Sequence, residues 1–494
     1  MATFTQIPSN WRVPGGYIEV DGSQATSGAT AEIPRAIGIL GQKLNDGDAA
    51  ANTPVRVFSD AEIETKAGRG SMLAKMAKLA RRITPETPLF LLPLDDDSNG
   101  VQAVYHVTLP ASTATESRIA RAYIDYHWLG VQKQGVIEFT IDNGDDQDDV
   151  IAAFVAAVSA DEDLLFAAAV DGSNANVAVL TCRHKGGVGN DLTIKFNLNQ
   201  GERFAAGIKE PTVSRQTDGS GNPDVSTVLD NLGELWLTDL VAPYRDSSNL
   251  TALETFARES WDALVQKEVH LFSAVSGTVG DMTTFGLTRN SEFLSVVGIG
   301  KSPSSAYLAA VSLACVDVSE PHPARSLEGL PLEGIVAAAT EDQLSDADRN
   351  SMLHSGVSST TVVAGTLRIQ KTITTYRVNS VGSPDEAFLD RQTLKTLMAI
   401  NYASRVHFRT KYPRYLLGES GRNYDPGVPV MTAELATAEW MQLADQFERR
   451  GWIETADKFV KEVTRPGANT LDSVIQPDLM NRFEQLRVLN LFKR

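Results

Sequence analysis

From Ala36 onward, short apolar runs alternate with stretches of helical periodicity, and this restricts the fold more than any other feature of the sequence. Ala36-Ile37-Gly38-Ile39-Leu40-Gly41 and Val55-Arg56-Val57-Phe58 read as strands. Residues 71–83 place Met72, Met76, Leu79 and Ile83 at helical spacing, with lysines and arginines opposite. Leu89-Phe90-Leu91-Leu92 follows as a buried strand. The rhythm resumes after residue 225 with Leu235-Trp236-Leu237, a helix over 246–266, Val269-His270-Leu271-Phe272, a strand over 293–299 and a helix over 305–315. Strands alternating with helices pack as a parallel sheet covered on both faces. The expected class is an α/β core.

Residues 101 to about 200 break that rhythm. Val136-Ile137-Glu138-Phe139-Thr140-Ile141, Val177-Ala178-Val179-Leu180 and Leu192-Thr193-Ile194-Lys195-Phe196 read as strands around a helix over 148–159 with acidic residues in its first turn. This predicts an inserted α+β module, with the Gly-, Ser-, Asn- and Pro-rich stretch 201–224 as the linker back. Further on, Ser383-Pro384-Asp385-Glu386 has the form of a capping box opening a long helix toward Arg409. A second helix, residues 433–450, ends on two arginines with Gly451 as its stop.

The 494 residues provide for two to four domains, and the 42% hydrophobic and 22% charged content is that of an ordinary globular chain. No run of eighteen apolar residues predicts a transmembrane helix. Met1 to Asn10 lacks the basic start and apolar core of a secretory signal. Cys182 and Cys315 lie far apart in apolar surroundings and read as buried thiols of a reducing compartment. A net charge of −17 argues against nucleic acid or an anionic membrane as the main partner. The charge is uneven: residues 367–494 hold 19 Lys/Arg against 15 Asp/Glu, the preceding 366 residues 26 against 47. That asymmetry suits head-to-tail docking of copies, and equally suits unrelated surface charges on separate domains.

No motif carries catalysis. Lys185-Gly186-Gly187-Val188-Gly189-Asn190 lacks the closing Gly-Lys-Ser/Thr of a phosphate loop and reads as a hairpin turn. Asp95-Asp96-Asp97 and the acidic run 145–149 lack the spacing of a calcium loop, and read as a solvated loop and a helix start. Gly418-Glu419-Ser420-Gly421 begins like a nucleophile elbow, but Arg422 stands where its second glycine belongs. No zinc-binding pair of histidines occurs, and His322, between two prolines, reads as a loop cap. No cofactor and no metal are expected.

Both ends carry a lone strand. Pro14-Gly15-Gly16-Tyr17-Ile18-Glu19-Val20-Asp21 sits before a Ser/Gly/Ala-rich tether, and Gln485-Leu486-Arg487-Val488-Leu489-Asn490-Leu491-Phe492 lies at the other end. A strand needs a sheet to satisfy its backbone. Each can pair within its own subunit or be donated to a neighbour, and the loose tether favours donation.

Taken together, these segments resemble the sheath proteins of contractile phage tails, most closely the Mu-like group. The resemblance is carried by Pro14 to Val20, Gly68-Arg69-Gly70-Ser71-Met72, the His184–Asn190 turn, Ala242-Pro243-Tyr244-Arg245-Asp246, Thr288-Arg289-Asn290-Ser291 and Pro331-Leu332-Glu333-Gly334-Ile335. It continues through Phe408-Arg409-Thr410-Lys411-Tyr412-Pro413-Arg414, Arg450-Gly451-Trp452-Ile453-Glu454 and Gln476-Pro477-Asp478-Leu479-Met480-Asn481. One departure is Val463-Thr464-Arg465-Pro466-Gly467-Ala468, which leaves the pairing and length of that strand open.

The resemblance implies a subtilisin-like but non-catalytic α/β core, laid out as an arm (1–31), core (32–100), an inserted module (101–200), core (201–366), a C-terminal domain (367–484) and an arm strand (485–494); the module is expected to face outward, since an insertion is tolerated best where no neighbour is packed. It implies hexameric rings stacked helically around a tail tube protein, with baseplate and terminator partners, in a virion assembled in the host cytoplasm. Pro14, Gly15, Tyr17, Ile18 and Val20 would form one inter-subunit arm, and Leu486, Val488, Leu489, Leu491 and Phe492 the other. Trp440, Arg449 and Arg450 are candidates to face the tube. A contractile bacteriocin and an α/β hydrolase using Ser420 are the alternatives.

Overall fold

A computed structural model describes residues 31–425 and 427–492. The chain divides into two compact units: Pro34–Lys395, and Thr396–Arg494 together with the described residues before Pro34. The division falls inside the helix Arg391–Lys411 and not near residue 366.

The first unit is built on a six-stranded sheet in the order Leu294–Gly298, His270–Val275, Asp239–Val241, Ile37–Gln42, Leu89–Leu94, Val55–Val57. All neighbours are parallel except the last pair. Ile37–Gln42, Asp239–Val241, His270–Val275 and Leu294–Gly298 are buried along their whole length, which is why all but Asp239–Val241 appear in the sequence as apolar runs. Helix Met72–Ile83 starts where Ser71 accepts the Ala74 N–H at 3.0 Å. Helix Ala306–Ser319 is buried all round and lies at the centre of the unit. The architecture is mixed α/β with a partly parallel sheet.

The inserted residues form an antiparallel sheet, Thr212–Thr217, Gln102–Thr108, Val177–Lys185, Phe166–Val170, and a second one, Gln132–Ile141, Arg118–Leu129, Ile194–Phe196. Asp146 and Asp149 close a capping box on the accompanying helix Gln147–Ala160. A continuous apolar core runs through sheet and insert alike. A third sheet, Pro331–Val336, Thr366–Lys371, Ser359–Val363, completes the unit.

Several sequence expectations shift. Residues 212–217 are a strand within the expected linker; every one of them is exposed and polar pattern alone does not announce it. The strand expected at 235–237 lies at Asp239–Val241, and the helix from Ser247 stops at Ser260, not Gln266. The glycine turn after Lys185 is no hairpin, since its flanking strands belong to different sheets. A Cβ on Gly189 would stand 2.7 Å from the Ala103 Cβ, so the turn needs glycine for close approach. Ser383-Pro384-Asp385-Glu386 caps nothing: the Asp385 carboxylate accepts from the Tyr376 hydroxyl at 2.7 Å and the Ala387 N–H at 2.9 Å, and the helix begins at Arg391.

In the second unit, residues of helix Arg391–Lys411 pack on helix Ala433–Arg449 and the segment 452–459 around Leu443, Phe447, Trp452, Ile453 and Phe459. The departing segment at Val463 resolves into a hairpin in which Val460–Thr464 pairs antiparallel with Asp472–Ile475. Pro466, without an N–H to donate, lies just beyond the strand's end.

Candidate assembly surface

The C-terminal arm begins at a fixed point. Helix Ala433–Arg449 ends in a Schellman motif: the Trp452 N–H donates to the Phe447 carbonyl at 2.9 Å and the Gly451 N–H to the Glu448 carbonyl at 2.8 Å. Gly451 takes the required left-handed φ of 67°. The Phe447 and Trp452 rings stack at 5.3 Å, supplying the apolar contact that accompanies such a stop. The segment after Trp452 then meets residues 478–481, with an isolated bridge between Ile453 and Leu479. Glu454 N–H donates to Asp478 O at 2.7 Å, Met480 N–H to Trp452 O at 3.1 Å, and Asn481 Nδ2 to Glu454 Oε1 at 2.7 Å.

Half-buried Arg482 pairs with Glu484 at 3.4 Å, and every described residue after Glu484 is exposed. Residues 482–492 form no helix, strand or turn in the lone chain. Phe483 is 79% exposed, Leu486 and Val488 75%, and Leu489, Leu491 and Phe492 83%. Six large apolar side chains left in water on one short segment cannot be accounted for by scattered surface hydrophobics. The strand expected at 485–492 pairs with no other strand among the described residues. The N-terminal arm residues Pro14, Gly15, Tyr17, Ile18 and Val20 lie outside the described residues.

The proposed tube-facing residues separate. Trp440 is half-buried against Phe408 at 4.8 Å and Phe459 at 6.3 Å, so its ring serves the unit's own core. The Arg450 guanidinium lies over Trp452 at 5.5 Å, and Arg449 is exposed. Glu439, on the same helix, is buried between His407 Nε2 at 2.8 Å and Lys411 Nζ at 2.6 Å. Burial alone would raise its carboxyl, but hydrogen bonds from Lys411, Tyr412 and His407 hold it below the usual carboxylate range.

The Mu-like prophage FluMu tail sheath protein of Haemophilus influenzae is 33% identical to this chain over 460 residues, covering 92% of this chain and 91% of the relative. The chain belongs to the phage tail sheath proteins. The family model described as the phage tail sheath protein central domain matches residues 218–375 of the sheath chain. Among solved structures, a sheath tail protein from Listeria innocua aligns with a TM-score of 0.46 at 12% identity, covering 92% of this chain and 94% of its own. The contracted helical sheath of the anti-feeding prophage aligns with a TM-score of 0.45 at 11% identity, covering 98% and 100%.

As in its relatives, the sheath subunit is a structural protein and not an enzyme. Ser420 is exposed, and its hydroxyl accepts the Glu434 N–H at 3.4 Å. The family motifs serve as clamps between distant segments. The His184 Nε2 accepts the Met72 N–H at 3.1 Å, while its Nδ1 lies 3.2 Å from Asp96, joining the insert to a core helix. Asp96, expected in a solvated loop, also receives Gln42 Nε2 at 2.6 Å and the Lys185 N–H at 3.0 Å. Arg245 holds Asp191 at 2.6 Å, and Asn290 Oδ1 accepts the Arg377 N–H at 2.8 Å.

Two buried charge clusters escaped the sequence reading. Asp125, with a left-handed φ of 51°, receives Lys75 Nζ at 3.1 Å, the Tyr307 hydroxyl at 2.5 Å and the Ser305 hydroxyl. It thereby ties the insert to helices Met72–Ile83 and Ala306–Ser319. At the start of the interior strand Asp239–Val241, Arg391 Nη2 stands 3.0 Å from Asp317 Oδ2 and 3.6 Å from Asp239 Oδ1, and Arg35 reaches Asp239 at 3.3 Å. Lys395 donates to the Asp317 carbonyl and to the Glu320 carbonyl at 2.9 Å. Burial drives the Lys395 ammonium down to about 8 against the pull of Asp317. The available signals were single charges in apolar company: Asp317 within a helix of Ala, Val and Leu, and Lys75 one residue before Met76. Among the described residues no group of three or more His, Cys, Asp or Glu is placed to hold a metal, and no helix is long and apolar enough to cross a membrane.

Proposed function

We propose that this sheath subunit polymerises as stacked sixfold rings around an inner tail tube, with its terminal arms paired into neighbouring copies. The polymer contracts, against a baseplate at one end and a terminator at the other, and drives the tube through the host envelope during genome delivery. Assembly takes place in the host cytoplasm, and the finished sheath is part of the virion. On this reading the α/β core is subtilisin-like, the inserted module faces outward, and exposed Arg449 is a tube-facing candidate.

The observation that carries the proposal is the arm after Asn481, apolar and exposed directly beyond a hydrogen-bonded anchor. A ready acceptor is the hairpin Val460–Thr464 and Asp472–Ile475, a sheet of two strands whose outer edges have no partner among the described residues. Open edges of this kind accept an added strand. Rigid bodies joined by such strands can turn relative to one another without parting.

Electron microscopy and pelleting of the full chain, beside a chain ending at Asn481, test the reading. The full chain should form helical polymers. The shortened chain should remain as subunits with an unaltered melting temperature. Equal polymerisation of the two would refute the role of the arm.

A further inference from the structure

Building on the reading that this chain polymerises, we infer that the exposed loop between helices Arg391–Lys411 and Ala433–Arg449 is a second contact between copies. It docks on the acidic first unit, residues 34–395, of a neighbouring subunit. This contact is separate from the arms.

The loop is built, not slack. Leu416–Leu417 pairs in parallel with Val430–Met431, closing the ends of the segment 418–429. A Cβ at Gly418 would collide with the Tyr424 hydroxyl, so the ring lies tight against the backbone there. The same hydroxyl donates to the Glu419 carbonyl at 3.3 Å, and Glu419 pairs with Arg465 at 2.8 Å. On this frame Tyr415 is 41% exposed, Leu416 60%, Tyr424 42% and Val428 43%, with Arg414 and Arg422 also exposed. Tyrosine and arginine around apolar side chains is the composition of interface centres.

Charge selects the occupant. Residues 405–431 hold five Lys/Arg against two Asp/Glu, while the rest of 396–494 holds nine against ten. The positive surplus of residues 396–494 is therefore concentrated at this loop and the turn of helix before it. Residues 34–395 hold 30 Lys/Arg against 47 Asp/Glu, so a second copy brings an opposite charge large enough to attract it.

The test is the double variant R414E/R422E in the full chain, pelleted over a range of protein concentrations at about 50 and about 300 mM salt, between which screening of exposed charges deepens. Wild type should assemble less readily as salt rises. The variant should need roughly tenfold more protein and respond less to salt, as expected for loss and reversal of two exposed pairs. Its melting temperature as unassembled subunit should not change. A variant that matches wild type in threshold and salt response overturns the inference. So does one that polymerises normally but no longer joins the tube protein, which would assign the loop to the tube. Wild-type chain that never polymerises would instead refute the proposed function itself.

Discussion

Replacing Leu489 by alanine should weaken the polymer and leave the subunit untouched. The side chain is 83% exposed in the lone chain, so truncating it removes almost no contact from the folded unit. Exposed substitutions of this kind shift stability by about 0.5 kcal/mol or less. Once the arm is buried in a neighbour, the same truncation loses a leucine's worth of apolar burial, about 2 to 3 kcal/mol. At 1.4 kcal/mol per factor of ten, each joint weakens by about 30- to 150-fold. Each subunit added to a polymer makes one such joint, so the critical concentration should rise by the same factor. Pelleting against concentration measures it, and a melt below the critical concentration measures the subunit. Two results would refute the reasoning. An unchanged critical concentration means that the arm is not buried on assembly. A fall in subunit stability of several kcal/mol means that Leu489 packs within its own molecule.

The buried charges make two further predictions. Asp317→Asn leaves Arg391 and Lys395 without their shared carboxylate in a fully buried site, and should cost about 3 to 5 kcal/mol in a denaturant melt. A loss below about 1 kcal/mol would mean that water or other groups replace the pairing. For Lys395 the sign follows from burial: its folded value is lowered to about 8 from 10.5. Below about 8 both folded and unfolded chains carry the charge, and burying it is a standing cost. Between those values the folded chain gives up its proton while the unfolded chain keeps it, so this group's contribution to stability should rise with pH. Lys395→Met should remove that slope from the stability profile; an identical profile in the variant would disprove the assignment.

How much was legible follows from what each segment buries. The strands at Ile37–Gln42 and His270–Val275 were readable because burial on both faces leaves an unbroken apolar run. Thr212–Thr217 was not, because it lies exposed at a sheet edge, where neither face demands apolar residues. The capping string at Ser383 misled because a local pattern cannot show that Tyr376 has already claimed Asp385. The arm after Asn481 was recognisable from its apolar residues, whereas the exposure of those residues needed coordinates. The charged clusters at Asp125 and Asp317 depend on side chains from segments far apart in sequence, so no window of residues reveals them.

The greasy segment beyond Asn481 also sets a condition on how the protein is made. On the proposed reading, newly synthesised subunits carry it uncovered until a neighbour takes it up, so any excess of unassembled chains is a pool of material prone to indiscriminate clumping. Arg487 within the run and Lys493 and Arg494 after it put positive charge beside the apolar residues, the kind of flanking charge that slows such self-association. Production of the subunit must therefore be matched to the rate at which growing tails consume it.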